Sequence, residues 1–253
     1  MAETGVAMRC SVVWRCLRSL AVLLPVALYA GHATGQTPVK CPAPARPPAA
    51  SAAATQTVAA ASETRIWKTI TVGGSKGVNA VRVAMETAPC PIVIGDDADE
   101  ILGRPAFPFG RKPVELDLVA VSVFELGLGD QAARNDVELA AAVEVSLHDV
   151  YARAISLGFE LCPAEVGPAL RLQYLDQPLG EFLRIAMIPV ARYTGELVDL
   201  TVGNGGAGLV LVGGNGDPAA TVPAAVRFVF VRPRGDSVAR STPPANGEDV
   251  AKR

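Results

Sequence analysis

Between Leu161 and Pro189 the chain reads LCPAEVGPALRLQYLDQPLGEFLRIAMIP, with Glu165, Arg171, Tyr174, Asp176, Gln177 and Glu181 set among short apolar runs and prolines. Buried charge is costly unless paired, and a free surface is rarely so finely divided by apolar residues. The stretch therefore reads as polar groups held in a fixed frame. Its three carboxylates, Glu165, Asp176 and Glu181, are the candidate catalytic residues. Two of them flanking a glycan or peptide would supply the acid and base of a hydrolysis. Arg171, Tyr174 and Gln177 are candidate ligand-binding or organising groups. Read as a strand from Ala169, the chain puts Arg171 and Gln173 on one face. A turn at Asp176-Gln177-Pro178 then lets Arg171 approach Glu181 on a returning strand. An arginine–carboxylate pair of this kind more often fixes a hairpin than performs chemistry.

Other chemistries find less support. His148 is the one histidine beyond the first 35 residues, so neither a histidine-ligated zinc site nor a histidine-based relay has the groups it needs elsewhere. Its place beside Ser146 and Asp149 is that of a surface residue near a helix start. The sequence predicts no metal site and no cofactor. GNGGAG (Gly203–Gly208) resembles a phosphate loop but lies between two strands, which makes it a turn. DDADE (Asp96–Glu100) lacks calcium-loop spacing and reads as a helix start. Cys90 and Cys162 each adjoin a proline and are the candidate disulfide pair, with two buried free thiols as the alternative.

The N-terminus carries an address. Arg9, Arg15 and Arg18 precede the apolar run LAVLLPVALYA, and small residues (Ala33, Gly35) stand ahead of Gln36. The run is shorter than the ~20 residues a spanning helix needs. Residues 1–35 therefore read as a signal peptide, with Met8 as an alternative start, and the protein as periplasmic or secreted with no membrane span after cleavage. Residues 36–64 are a Pro/Ala-rich leader and 234–253 a polar tail, both expected to be disordered. Residues 65–233 are left as one domain. A formal net charge of −2 and 5% aromatic residues give no footprint for nucleic acid.

Within the domain, strands are expected at Ile66–Val72 and Glu115–Val123. Helices are expected at Lys76–Ala88 (capped by Ser75), after Asp96, and at Ser146–Leu157, where Ser146 and Asp149 fit a capping box and Gly158 a stop. Residues 129–144 are left as helix or loop. Strands follow at Ala169–Leu175, Glu181–Val190, Glu196–Val202, Gly208–Val212 and Val226–Arg232, with hairpin signals at Asn204-Gly205 and Asn215-Gly216. The expected class is α+β: two or three short helices in the N-terminal half, packed on a mostly antiparallel sheet of the C-terminal half.

The segments CPAEVGPALRLQY, DQPLGEFL and IAM, the preceding VYARAISLGFEL, and the stretches IGDDADEILGRPAF and VELDLVAVSVFELG resemble an uncharacterised family of bacterial proteins with no assigned activity. The resemblance covers most of residues 66–233. It implies one coherent domain and adds no chemistry. Where that family carries an acidic residue before the proline, this chain has Ile188. Two functional expectations follow. The first is a non-catalytic binding or structural module of the periplasm, whose partner is an envelope component or a small polar ligand. The second is a carboxylate-dependent hydrolase acting on envelope glycan or peptide.

Overall fold

Alternating apolar residues build most of the strands. In β1 (Lys68–Val72) Ile70 and Val72 are buried while Thr69 and Thr71 are exposed. β3 (Val114–Ser122) and β10 (Arg227–Val231) become buried on both faces, as their near-continuous apolar sequences require. The remaining strands are β2 (Ile92–Ile94), β4 (Glu144–Ser146), β5 (Phe182–Ile185), β6 (Val190–Ala191), β7 (Leu197–Asn204), β8 (Leu209–Asn215) and β9 (Thr221–Pro223). The computed structural model describes residues 41–45, 60–61, 63–130, 143–206 and 208–234. The stretch expected to be a signal peptide, most of the expected leader and tail, and most of the 129–144 stretch lie outside them.

The main sheet has the order β1-β3-β10-β5-β7-β8-β2, with β6 added beside β7; β4 and β9 form a separate pair. Four helices are described: α1 (Val78–Glu86), α2 (Asp96–Leu102), α3 (Leu147–Ser156) and α4 (Val166–Gln173). Val81 and Met85 of α1, Ile101 and Leu102 of α2, and Val166 and Leu170 of α4 bury one sheet face. Leu147, Val150 and Ala154 of α3 cover Val119, Val121, Phe228 and Phe230 on the other.

The class is α+β with the sheet dominant, and its distribution along the chain differs from expectation. β1, β2 and β3 bring the N-terminal half into the sheet, and α3 and α4 fall in the second half. Two pairings, β10–β5 and β2–β8, are parallel. The Asn204-Gly205 turn does join an antiparallel pair, β7–β8. Asn215-Gly216 does not make a hairpin, because β9 pairs with β4. Ser146 caps α3 by accepting the Asp149 N–H, and Gly158 follows with φ 89°. α1 begins at Gly77 without a side-chain cap, and the Ser75 hydroxyl donates to Gly77 O instead.

The largest correction concerns the strand expected at Ala169–Leu175, which is helical through Gln173 and leaves the helix at Tyr174. Leu170, Arg171, Leu172 and Gln173 alternate like a strand, but Val166 and Leu170 are buried at a four-residue spacing. Pro168 occupies the first turn, where a missing N–H costs nothing. Gly167 lets the helix lie directly on β7: a Cβ there would come within 2.5 Å of Leu200 Cδ1.

Residues ahead of Arg65 take part in the fold. Ala61 is buried in the α3-side core, its N–H donating to Leu157 O. Cys41 is disulfide-bonded to Cys90, with Cα atoms 5.1 Å apart, and Ala45 N–H donates to Asp176 O. The expected Cys90–Cys162 pair is thereby corrected. Cys162 is a buried free thiol whose Sγ donates to Val229 O, and burial holds its pKa far above the usual thiol range. Cys41→Ser should lower stability by about 2 kcal/mol, the lower end of the usual range, because the bridge secures residues 41–45 rather than the core. Thermal melts with and without reductant check this: wild type should fall to the variant's melting temperature under reductant, and the variant should not respond.

Candidate functional site

The polar residues of 161–189 divide into three groups. In the first, α4 carries Arg171 inward to complete burial. Its Nη1 donates to Gln177 Oε1 at 2.5 Å and Gly203 O at 3.0 Å, and its Nη2 donates to Tyr174 O. Gln177, also fully buried, donates from Nε2 to Glu181 O and Val202 O, each at 3.2 Å. One guanidinium and one amide thus tie α4, the following turn, β5 and β7 together. Burial lowers the Arg171 pKa to about 10, which leaves it protonated at neutral pH. Its Nε has no hydrogen-bond partner among the described residues.

In the second group, the Tyr174 hydroxyl donates to Glu181 Oε2 at 2.8 Å, and Arg227 Nη1 reaches Glu181 Oε1 at 3.0 Å. Burial first, then the Glu181 bond, push the Tyr174 pKa well above the phenol range. The expected Arg171–Glu181 pair is therefore replaced by Arg227–Glu181: a helical α4 turns Arg171 toward β7. Glu181 and Arg227 line a depression of about 520 Å³ beside Leu179 and Phe182. Asp176 is exposed on the turn after α4.

The third group holds Glu165 alone. It precedes the first turn of α4, half-buried, and its Oε2 accepts the Gly110 N–H at 2.8 Å. Among the described residues no arginine or lysine lies within ion-pair distance of it. Glu165 is the one charged residue lining a cleft of about 290 Å³ between the end of β1, α1 and α4. Val81, Ala84, Phe109, Pro168 and Leu172 form apolar walls; Thr71, Ser75 and Gln173 supply polar edges. Gly73, with φ 82°, turns the chain away from β1 at the cleft rim. A Cβ there would meet Lys112 O at 2.2 Å, so no other residue fits. The three candidate carboxylates thus have separate surroundings: Glu165 and Glu181 line different clefts, and Asp176 stands on an exposed turn.

Two features escape the sequence pattern as it was read. Gln173 leaves α4 to bond the backbone of Thr71, accepting its N–H at 3.0 Å and donating to its C=O at 2.8 Å. The other is Asp199 in β7, fully buried, with Arg184 Nε and Nη2 2.8 and 2.7 Å from its Oδ2. Burial outweighs Arg184 and raises the Asp199 pKa to about 6. Its Oδ1 accepts no hydrogen bond from the described residues. A lone acid inside the apolar strand LVDLTV was the available signal. DDADE opens α2, as expected; Asp99 pairs with Arg82, and Asp97 and Glu100 pair with Arg192. His148 is exposed at the start of α3.

No protein-family model matches the chain, and neither the curated proteins nor the solved structures give a match.

Proposed function

We propose that the protein is an exported, non-catalytic binding module whose ligand enters the cleft between β1, α1 and α4. The observation that carries this reading is Glu165: a carboxylate in an apolar-walled cleft, oriented by the Gly110 N–H and lacking a counter-ion among the described residues. Such a site suits a ligand with an apolar body and a cationic or N–H-bearing end, because a charged hydrogen bond in a partly dry cleft is stronger than a neutral one. Export is supported by the basic-then-apolar N-terminus and by a disulfide, which persists in oxidising compartments. Among the described residues no helix is long and apolar enough to cross a membrane. The hydrolase alternative needs two carboxylates facing one substrate. The separate surroundings of Glu165, Asp176 and Glu181 give it no support.

The test is titration of the isotope-labelled protein with n-hexylamine and, separately, hexanoate. Amide signals of Gly110 and Ala169 should move with the amine and stay with the carboxylate. Glu165→Ala should weaken amine binding by about tenfold or more, the worth of a charged hydrogen bond. Equal responses to both probes, or none at the cleft, would overturn the reading.

A further inference from the structure

Among the described residues β1 ends the main sheet and pairs only with β3. An edge strand presents unpaired N–H and C=O groups that another chain can take up. At Thr71 both groups are occupied, by one side chain. Gln173 Oε1 accepts the Thr71 N–H and Gln173 Nε2 donates to the Thr71 C=O, at 3.0 and 2.8 Å. A primary amide used this way makes the same pair of bonds that the N–H and C=O of one residue in an adjoining antiparallel strand would make. Gln173 is exposed, and its Nε2 also donates to Ala169 O at 3.0 Å. Side-chain rotation alone would therefore release Thr71, with α4 left in place.

The released edge opens onto the cleft already described, since Thr71 and Gln173 both stand on its rim. Behind them lie the apolar surfaces of Val81, Ala84 and Leu172, and Glu165 supplies the charge. A small amine would use the carboxylate and the walls but leave the edge shut. An extended chain would use all three. Resting on the reading of this cleft as the binding site, we infer that its occupant is an extended peptide segment that displaces Gln173 from Thr71. The peptide adds its backbone to β1, lays an apolar side chain into the cleft and sets a basic group against Glu165. This is strand addition at a sheet edge: main-chain bonds give affinity and alternate side chains give selectivity. Gln173 is the latch that keeps the edge from pairing indiscriminately.

The test uses the full chain and three probes: a capped pentapeptide of alternating valine and threonine bearing one lysine, the same peptide with N-methylated valine amides, and n-hexylamine. The plain peptide should move the Thr71 amide and Gln173 side-chain amide signals, and N-methylation should weaken binding about tenfold or more, because it removes the strand bonds. Gln173→Ala removes the competing latch and should tighten peptide binding about fivefold, the worth of one net hydrogen bond. Equal binding of both peptides, or weaker or unchanged peptide binding in Gln173→Ala, overturns strand addition. If hexylamine binds and the peptide does not, strand addition fails and the cleft reading survives. If neither perturbs the cleft, both fail.

Discussion

Arg171→Ala should destabilise the domain by about 3–5 kcal/mol, through lost hydrogen bonds rather than lost charge pairing. The guanidinium is the donor for Gln177 Oε1, Gly203 O and Tyr174 O, all around a fully buried side chain. Truncation leaves three acceptors without that donor, at ~1–3 kcal/mol each and less than additively. Arg171→Lys keeps the charge but not the planar fork, and should recover only part of the loss. Urea unfolding measures both. Gln173→Ala, two residues on and exposed, is the control and should cost under about 1 kcal/mol. If Arg171→Ala matched that control, the buried network would not be organising the α4–β7 junction.

The second large effect is expected at Arg184 and Asp199. Arg184→Ala leaves the buried Asp199 carboxylate uncompensated and should cost about 3–5 kcal/mol at neutral pH. Asp199→Asn removes the charge itself and should cost less. Its signature is in pH dependence. The Asp199 pKa is about 6 in the folded chain, against 3.8 for an ordinary aspartate in water. Between those values the folded state holds more protons than the unfolded one, so stability falls as pH rises through that window. The contribution is full below about pH 4, gone above about pH 6, and on the order of 2–3 kcal/mol. Asp199→Asn should abolish this slope. Asp117, held down to about 2 by hydrogen bonds from Arg234 and Thr69, acts oppositely, adding stability that is lost as pH falls from 3.8 through 2. Its window lies below that of Asp199, so the two separate in a pH series of urea unfolding curves. An unchanged slope in Asp199→Asn would remove Asp199 as its source.

The apolar periodicity of β1, β3, β7, β8 and β10 located these strands within a few residues, and Ser146 with Asp149 located the start of α3. Local pattern could do this because each element shows its buried face in its own residues. α4 failed that test. Arg171 and Gln173 flank Leu172 like the polar face of a strand, whereas the structure buries Arg171 and exposes Gln173. Nothing local distinguishes a guanidinium bound for the core from one bound for water; the distinction lies in carbonyls as distant in sequence as Gly203. The disulfide failed for the same reason. Cys162 and Cys90 share a proline neighbourhood, but Cys41 is the thiol that tertiary structure brings to Cys90. At the site, Glu165, Arg171, Tyr174 and Glu181 were legible as residues held in a fixed frame, though not as separate groups with separate partners.

The placement of β10 bears on how the molecule comes to be made. It is the last strand among the described residues and an inner strand of the sheet, antiparallel to β3 on one side and parallel to β5 on the other. A chain that stops short of Arg227 holds β1–β3 and β5–β7–β8–β2 as two fragments that share no ladder. Ile92 likewise finds its partner only when Leu209 arrives. Closure of the sheet therefore waits for Arg227–Val231 to leave the ribosome, and the many distant pairings make the final collapse slow. A polypeptide of this topology stays threadable during synthesis and acquires its shape in one late, cooperative step.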